Sequence, residues 1–184
     1  VKLYLEEEDS ISFEEAFRIF NTWIPQTSDE TLIDVADYSH LSQGPQTLLV
    51  GHEANYSLDN TDGRMGVMYA RKQPVGGTAA ERIRDAFARA LKTCARLEEE
   101  EGLQGKVRFR GDQCWLVVND RLHASNDDDS LEAIRPDLET VLNALYGEGQ
   151  FEIERQQGDK ERFSVRVKAA NEESVQSLLE KVSD

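Results

Sequence analysis

The sequence predicts an α+β fold: two tandem ferredoxin-like (split βαβ) units, the second truncated, that share a mainly antiparallel sheet with helices packed mostly on one face. Three observations predict it: the order of the periodic segments, the capping sequences of the helices and the alternation of the strands. Strand and helix patterns follow each other as βαββαβ over residues 1–111, with a hairpin inserted in the middle, and as βαββα over 112–184. We therefore expect these two units to form one compact globule.

Three of the four predicted helices begin with a capping pattern and continue as an amphipathic stripe. In a capping box, a Ser, Thr or Asp side chain accepts from the amide three residues on, and a Glu at that position reaches back. The pairs are Ser12 with Glu15, Thr78 with Glu81, and Asp129 with Glu132. Apolar residues then recur every three or four positions, which predicts helices over 12–24, 78–101, 130–146 and 172–183.

Proline and glycine mark the expected breaks. Pro25 is expected to stop the first helix, and Pro136 to kink the third or follow a short turn. Gly111-Asp112 is expected to form a tight turn between two short strands, 106–110 and 114–118. The second of these strands is apolar on both faces, which predicts a central position with cover on both sides.

Apolar and polar residues alternate in the remaining strand segments. The pattern predicts strands over 1–7, 31–37, 46–51 and 64–70, and a hairpin over 150–168. In the hairpin, Glu152 and Glu154 are expected to face Arg166 and Lys168 across the strands. The predicted core joins the apolar stripes, and its members are Phe17, Phe20, Phe87, Leu91, Cys94, Val107, Phe109, Trp115, Val117, Leu138, Leu142, Val165 and Val167.

The charge of the chain disfavours two classes of partner. With 21 basic and 36 acidic residues the net charge is −15, and such a surface repels nucleic acid phosphates and anionic lipids. A basic strand face at Lys106, Arg108 and Arg110 lacks the exposed aromatic residues on which RNA-binding sheets stack bases. No apolar run is long enough for a signal sequence or a membrane span. We expect a soluble, cytoplasmic, bacterial-type protein that binds neither nucleic acid nor membrane.

The two cysteines, Cys94 and Cys114, lie on patterned secondary structure and have no metal-binding spacing. The pattern favours buried free thiols in a reducing compartment. We expect no disulfide, no structural metal and no cofactor.

Most residues suited to catalysis lie between residues 37 and 63. Asp37, Tyr38, His40, His52 and Glu53 fall here, including two of the three histidines. If they converged, they could bind a divalent metal or act as acid and base. Their spacing matches no metal or protease motif, so the favoured interpretation is polar loop and strand-edge residues. The nearby run 59–63 suggests a hairpin turn rather than a calcium loop.

A second candidate site precedes the longest helix. Gly76, Gly77 and Thr78 could offer free amides to a phosphate or carboxylate, with Arg71 nearby, although Glu81 in the first turn argues against an anion there. The segment is neither a P-loop nor a dinucleotide fingerprint.

No catalytic motif occurs in the sequence, and this favours a non-catalytic binding or assembly module that associates with a protein partner or with itself. One alternative is a small metal-dependent or acid/base enzyme that uses the 37–63 region. A second is a binder of a small anionic ligand at 76–78.

Overall fold

The computed structural model describes residues 1–103, 105–120, 122, 124–158 and 162–183. Within them the chain forms four α-helices, one short 3₁₀ helix (Glu101–Leu103) and eight strands. The helices are α1 (Phe13–Gln26), α2 (Ala79–Glu99), α3 (Asp128–Tyr146) and α4 (Val175–Ser183). The strands are β1 (Lys2–Leu5), β2 (Leu32–Asp37), β3 (Pro45–Gly51), β4 (Ala54–Asp59), β5 (Gly66–Arg71), β6 (Phe109–Val117), β7 (Phe151–Arg155) and β8 (Ser164–Ala169).

The strands form one open sheet in the order β2-β3-β4-β5-β1-β6-β8-β7, and every neighbouring pair is antiparallel. The predicted α+β class is confirmed. The strand that comes first in the chain, β1, lies inside the sheet between β5 and β6, while β2 and β7 form its edges.

The helices pack on one face of this sheet. Apolar residues from all four helices belong to one buried cluster together with alternate strand residues, such as Leu3 and Leu5 of β1. Residues between them in sequence point to the other face, where Tyr4, Met68 and Trp115 form a small separate cluster. We call this second face, which carries no helix, the open face.

The predicted turn at Gly111-Asp112 is wrong, because β6 runs through both residues as one strand. Gly111 serves a different purpose: a side chain there would overlap the backbone oxygen of Glu173, which precedes α4. The expected division between residues 111 and 112 therefore falls inside a strand that pairs with β1 on one side and with β8 on the other.

Strand β4 was missed by the sequence analysis, which treated this segment as polar loop. Ala54, Tyr56 and Leu58 point to the helix side and are buried in the main cluster, while the polar residues between them point to the open face. The turn predicted over 59–63 is confirmed: β4 ends at Asp59, the chain reverses, and Gly63 adopts a φ of 80°.

The helix ends agree with the predicted capping sequences except at two places, the end of α1 and the start of α3. Both capping boxes, at Ser12 and at Thr78, are present. Pro25 does not stop α1 but lies in its last turn, and α3 is capped by Asp127 rather than by Asp129. Pro136 lies inside the continuous helix α3, which ends at Gly147 as predicted. Among the described residues, no helix is both long and apolar enough to cross a membrane.

Most of the predicted core is buried. Phe17 is the clear exception, because it is 39% exposed on α1, and Val117 is only partly buried on the open face. Cys94 and Cys114 are buried free thiols, and burial raises the pKa of the Cys114 thiol to about 12. The register Glu152 to Lys168 and Glu154 to Arg166 is also as predicted.

Candidate functional site

The open face carries a buried charged network centred on Lys2. Its side chain is fully buried, and Nζ donates to Asp59 Oδ1 at 2.9 Å, to Asp62 Oδ1 at 2.6 Å and to the backbone oxygen of Arg64 at 2.7 Å. An ammonium group has three protons, so all three are used. This satisfaction of every proton allows a charged side chain to remain inside the protein.

The fold positions these groups through strand alternation and one turn. Lys2 points to the open face because its neighbour Leu3 points to the helices. The turn between β4 and β5 then folds over β1 and brings its carboxylates to the ammonium. Gly66 permits this approach, since a Cβ atom there would overlap the backbone oxygen of Leu3 and lie 3.0 Å from Cε of Lys2.

Asp62 connects the network to the rest of the open face. Its Oδ2 atom accepts from the Tyr4 hydroxyl at 2.7 Å and from Nη2 of Arg166 at 3.3 Å. Burial would raise the pKa of Asp62, but hydrogen bonds from Lys2 and Tyr4 outweigh it, and the pKa lies below its usual value. Burial and the hydrogen bond to Asp62 raise the pKa of Tyr4. Tyr4 therefore acts as a hydrogen-bond donor here rather than as a base.

Aromatic rings and cations alternate across the centre of the open face. The Arg64 guanidinium lies 3.8 Å from the centre of the Tyr4 ring and donates to Gln113 Oε1 at 2.9 Å. The ammonium of Lys2 lies 5.8 Å from the centre of the Trp115 ring. These contacts hold the rings of Tyr4 and Trp115 beside positive charges. They therefore fix the position of Trp115, which lines the adjacent pocket described next.

A pocket of about 450 Å³ opens beside this network, and we call it the open-face pocket. Strands β6 and β8 supply its floor, and the β2–β3, β4–β5 and β7–β8 connections supply its walls. Its lining residues are Gln43, Thr61, Asp62, Trp115, Val117, Gln156, Gln157, Arg162, Ser164 and Arg166. Its size is within the range of small-molecule sites, and its lining is polar.

Two nitrogen donors in the pocket lining lack an acceptor. Trp115 Nε1 and Arg166 Nε are both buried, and neither makes a hydrogen bond with the described residues. The two residues are direct cross-strand partners on β6 and β8, so their side chains lie next to each other on the open face. A buried donor without a partner costs free energy, so these two donors are groups that an acceptor entering the pocket could satisfy.

The charges of the described residues that line the open-face pocket are positive in sum, although the chain is strongly acidic. These lining residues include Arg162, Arg166 and one carboxylate, Asp62, which is paired with Lys2 and with Arg166. Glu154 lies opposite Arg166 in the strand register, but no ion pair joins the two. In a protein with a net charge of −15, this is a local environment for an anion.

The residues first considered for catalysis lie at two separate places. Asp37 ends β2, and Tyr38 and His40 follow it in the β2–β3 connection. Asp37 accepts from the Ser39 amide, and the rings of Tyr38 and His40 are 6.3 Å apart. His52 and Glu53 form the turn at the opposite end of β3. A strand of this length separates the two histidines by about 20 Å.

His52 and Glu53 line a different cavity near Arg71, and no group of three or more metal-ligating side chains occurs in the described part of the chain. The carboxylate of Glu53 lies 3.3 Å from Arg71. Arg71 also pairs with Asp85 at 2.9 Å, so its guanidinium is largely engaged within the protein. The geometry brings together neither a metal site nor a nucleophile with its base.

The helix start at Gly76, Gly77 and Thr78 is occupied by the protein's own carboxylate. Glu81 Oε2 accepts from the Thr78 amide at 2.7 Å and lies against Gly77. Hydrogen bonds from the Thr78 amide and hydroxyl lower the pKa of Glu81, so the carboxylate is charged at neutral pH. An external anion at this position would have to displace it.

The sequence analysis missed the residues that form the open-face pocket. Lys2 on the first strand and the pair Trp115 with Arg166 were assigned to ordinary strand faces. One signal was present: Lys2 is the single charge in a four-residue strand that is otherwise apolar. No protein-family model matches the chain, and no curated protein or solved structure is significantly similar to it.

Proposed function

We propose that this protein is a non-catalytic binding module whose open-face pocket binds a small anionic ligand. The observation that carries the proposal is the presence of two arginines and two unpartnered buried donors in one pocket of a protein with net charge −15. The polar side chains Gln43, Gln156 and Ser164 add donors and acceptors around the same space.

The chemistry of the lining favours binding over catalysis. Asp62 accepts hydrogen bonds from Lys2, Tyr4 and Arg166, so it has little capacity left to act as a base. The described lining holds no cysteine or histidine, and its Ser164 has no histidine beside it. A polar, cationic pocket without an activated nucleophile is suited to recognition.

Binding of simple anions tests the proposal. Isothermal titration with inorganic phosphate and with citrate should give saturable binding, whereas the neutral sugar glucose should not bind. Arg166→Gln and Arg162→Gln should each weaken anion binding about tenfold or more, because a hydrogen bond to a charged group contributes about 1.5–3 kcal/mol. Circular dichroism would confirm that the variants are folded.

Arg135→Gln is the matched control, since Arg135 is a half-buried arginine on α3, which packs on the opposite face of the sheet. It should leave anion binding unchanged. Absence of anion binding at millimolar concentrations, or equal loss in the control, would contradict the proposal. The enzyme alternative makes a different prediction, namely that the protein binds zinc or manganese. If His40→Ala and His52→Ala each abolish such binding, the metal-dependent enzyme becomes the better proposal than the binding module.

We also propose that the sheet and its helices consist of two ferredoxin-like units. The order of elements and strands is compatible with two split βαβ units, the first with an inserted hairpin, that use β6 in common.

We also propose that the module works in the cytoplasm with a protein partner or a second copy of itself. Ile33, 56% exposed on the edge strand β2, supports such a contact, and light scattering across a concentration series tests self-association.

A further inference from the structure

We propose that the ligand of the open-face pocket carries an oxyanion, a carboxylate or a phosphate, that accepts hydrogen bonds from Trp115 Nε1 and Arg166 Nε. The inference rests on the proposed function and adds the atoms that make the contact. Both nitrogens are buried, both belong to residues that line the pocket, and both lack an acceptor among the described residues.

The chemistry of the two donors limits what can satisfy them. The indole N–H and the guanidinium N–H can only donate, so the ligand must supply acceptors. Trp115 and Arg166 are direct cross-strand partners, which places their Cβ atoms about 4.5–5.5 Å apart. A carboxylate or a phosphate has two or more oxygens and can accept from neighbouring donors together, and its charge is favourable beside Arg166. A neutral carbonyl can accept two hydrogen bonds through its one oxygen, but it lacks the charge that is favourable beside Arg166.

Comparable donors elsewhere in this protein are satisfied internally. The other tryptophan, Trp23, donates from Nε1 to Glu100 at 3.2 Å. Nε of Arg110 donates to Asp112 at 3.0 Å, and Nε of Arg155 donates to Asp128 at 2.9 Å. The chain is rich in acidic residues, yet none of those in its described part accepts from Trp115 Nε1 or Arg166 Nε. This contrast indicates that an acceptor from outside the chain completes the site.

The pocket also indicates the size of the ligand. Its volume of about 450 Å³ is near the lower end of the range for small-molecule sites, which is about 300–1,000 Å³. Arg162, which precedes β8 and also lines the pocket, supplies a second cation, and its Nη1 donates to Asn119 Oδ1 at 2.5 Å. A small carboxylic acid or a small phosphate ester matches both the volume and the charge.

Nuclear magnetic resonance of the two indole N–H groups tests the inference directly. The full chain labelled with ¹⁵N should give two indole cross-peaks, assigned with Trp115→Phe and Trp23→Phe. During titration with inorganic phosphate, and separately with succinate, the Trp115 peak should move downfield and saturate as the N–H gains an acceptor. The Trp23 peak should stay fixed, because its acceptor is Glu100. The titration that saturates at lower concentration identifies phosphate or carboxylate as the preferred group.

Two variants test the individual donors by calorimetry. Trp115→Phe keeps the aromatic ring but removes the N–H, and Arg166→Lys keeps the charge but removes Nε. Each should weaken binding of the preferred probe about tenfold, as expected for a lost hydrogen bond to a charged group. Arg162→Lys, which retains a cation in the pocket lining, should change binding less.

The outcomes separate this inference from the proposed function. If phosphate and succinate both fail to bind, the proposed function and the inference fall together. If an anion binds and Arg162→Gln weakens it while the Trp115 peak does not move, the binding module stands and the oxyanion contact is wrong. Unchanged affinity in both Trp115→Phe and Arg166→Lys would also overturn the inference.

Discussion

Lys2 and Asp62 form a 2.6 Å ion pair between side chains that are 0% and 6% exposed, although 60 residues separate them in the chain. Burial of two charges is costly, and their attraction offsets that cost only where the remaining hydrogen bonds are made. Here Lys2 donates three hydrogen bonds, and Asp62 also accepts one from Tyr4. The pair therefore fixes the β4–β5 turn over β1. This pairing builds one wall of the open-face pocket.

Replacement of Lys2 should destabilise the protein strongly. Lys2→Met removes the ammonium and leaves the buried carboxylates of Asp59 and Asp62 without their main partner, which should cost about 3–5 kcal/mol. Urea denaturation measures the change in the free energy of unfolding. Lys92→Met is the control, because Lys92 forms an exposed pair with Asp29 and should cost about 0–1 kcal/mol. Equal losses in the two variants would contradict the structural role of the buried network.

Acid should weaken the same network. The folded pKa of Asp62 is below its usual value of about 3.9, so the carboxylate contributes stability that is present above about pH 4 and is lost as the pH falls through the folded pKa. The difference in unfolding free energy between wild type and Asp62→Asn should therefore shrink as the pH falls below about 4. Glu148→Gln, at an exposed position after α3, should show no such trend. A constant difference across the acid range would argue against the assigned ionisation.

Gly111 should not tolerate a side chain. A Cβ atom at this position would overlap the backbone oxygen of Glu173 and push α4 away from β6. Gly111→Ala should lower the free energy of unfolding by about 1–3 kcal/mol or more. Gly76→Ala is the matched control, since nothing lies within 4 Å of its added carbon. Thermal unfolding compares the two variants, and a stable Gly111→Ala protein would show that this contact is not tight.

Two phenylalanines that the sequence analysis placed together in the core should behave differently. Phe87 on α2 is buried, and Phe87→Ala should cost about 3–5 kcal/mol. Phe17 on α1 is 39% exposed, and Phe17→Ala should cost under about 1 kcal/mol. Chemical denaturation of both variants is sufficient for the comparison. Similar costs would mean that α1 packs with Phe17 facing inward.

Local patterns predicted the helices well because each helix carries its own signal. Ser12 with Glu15 and Thr78 with Glu81 form their capping boxes as expected, since each box depends on residues three positions apart. Phe17 was misplaced because it stands beside the true stripe of α1, and helical spacing alone does not fix the limits of the buried face.

The strand errors have physical causes as well. The alternation of Ala54, Tyr56 and Leu58 with polar residues marks β4 clearly, but the many polar residues led to its interpretation as polar loop. Gly111 was assigned to a turn, whereas a glycine inside a strand can also mark a close approach of another backbone segment. That approach involves Glu173, and no local pattern reveals a neighbour so distant in sequence.

The open-face pocket was beyond the reach of local patterns for the same reason. Trp115 and Arg166 become partners only through the register of β6 with β8, and Lys2 meets Asp62 only after β5 pairs with β1. Each of these side chains has an ordinary strand interpretation by itself. The site exists in the pairing of strands and not in any single segment.

The position of β1 inside the sheet has a consequence for the order in which the protein can fold. Its residues 2–5 pair with 66–68 on one side and with 109–115 on the other, so β1, which is synthesised before both neighbours, must wait for them. The meander β2–β5 pairs through short connections and can form earlier. Until residue 117 has left the exit tunnel, β1 lacks its β6 neighbour, and chaperones that shield exposed strand edges would act in that interval.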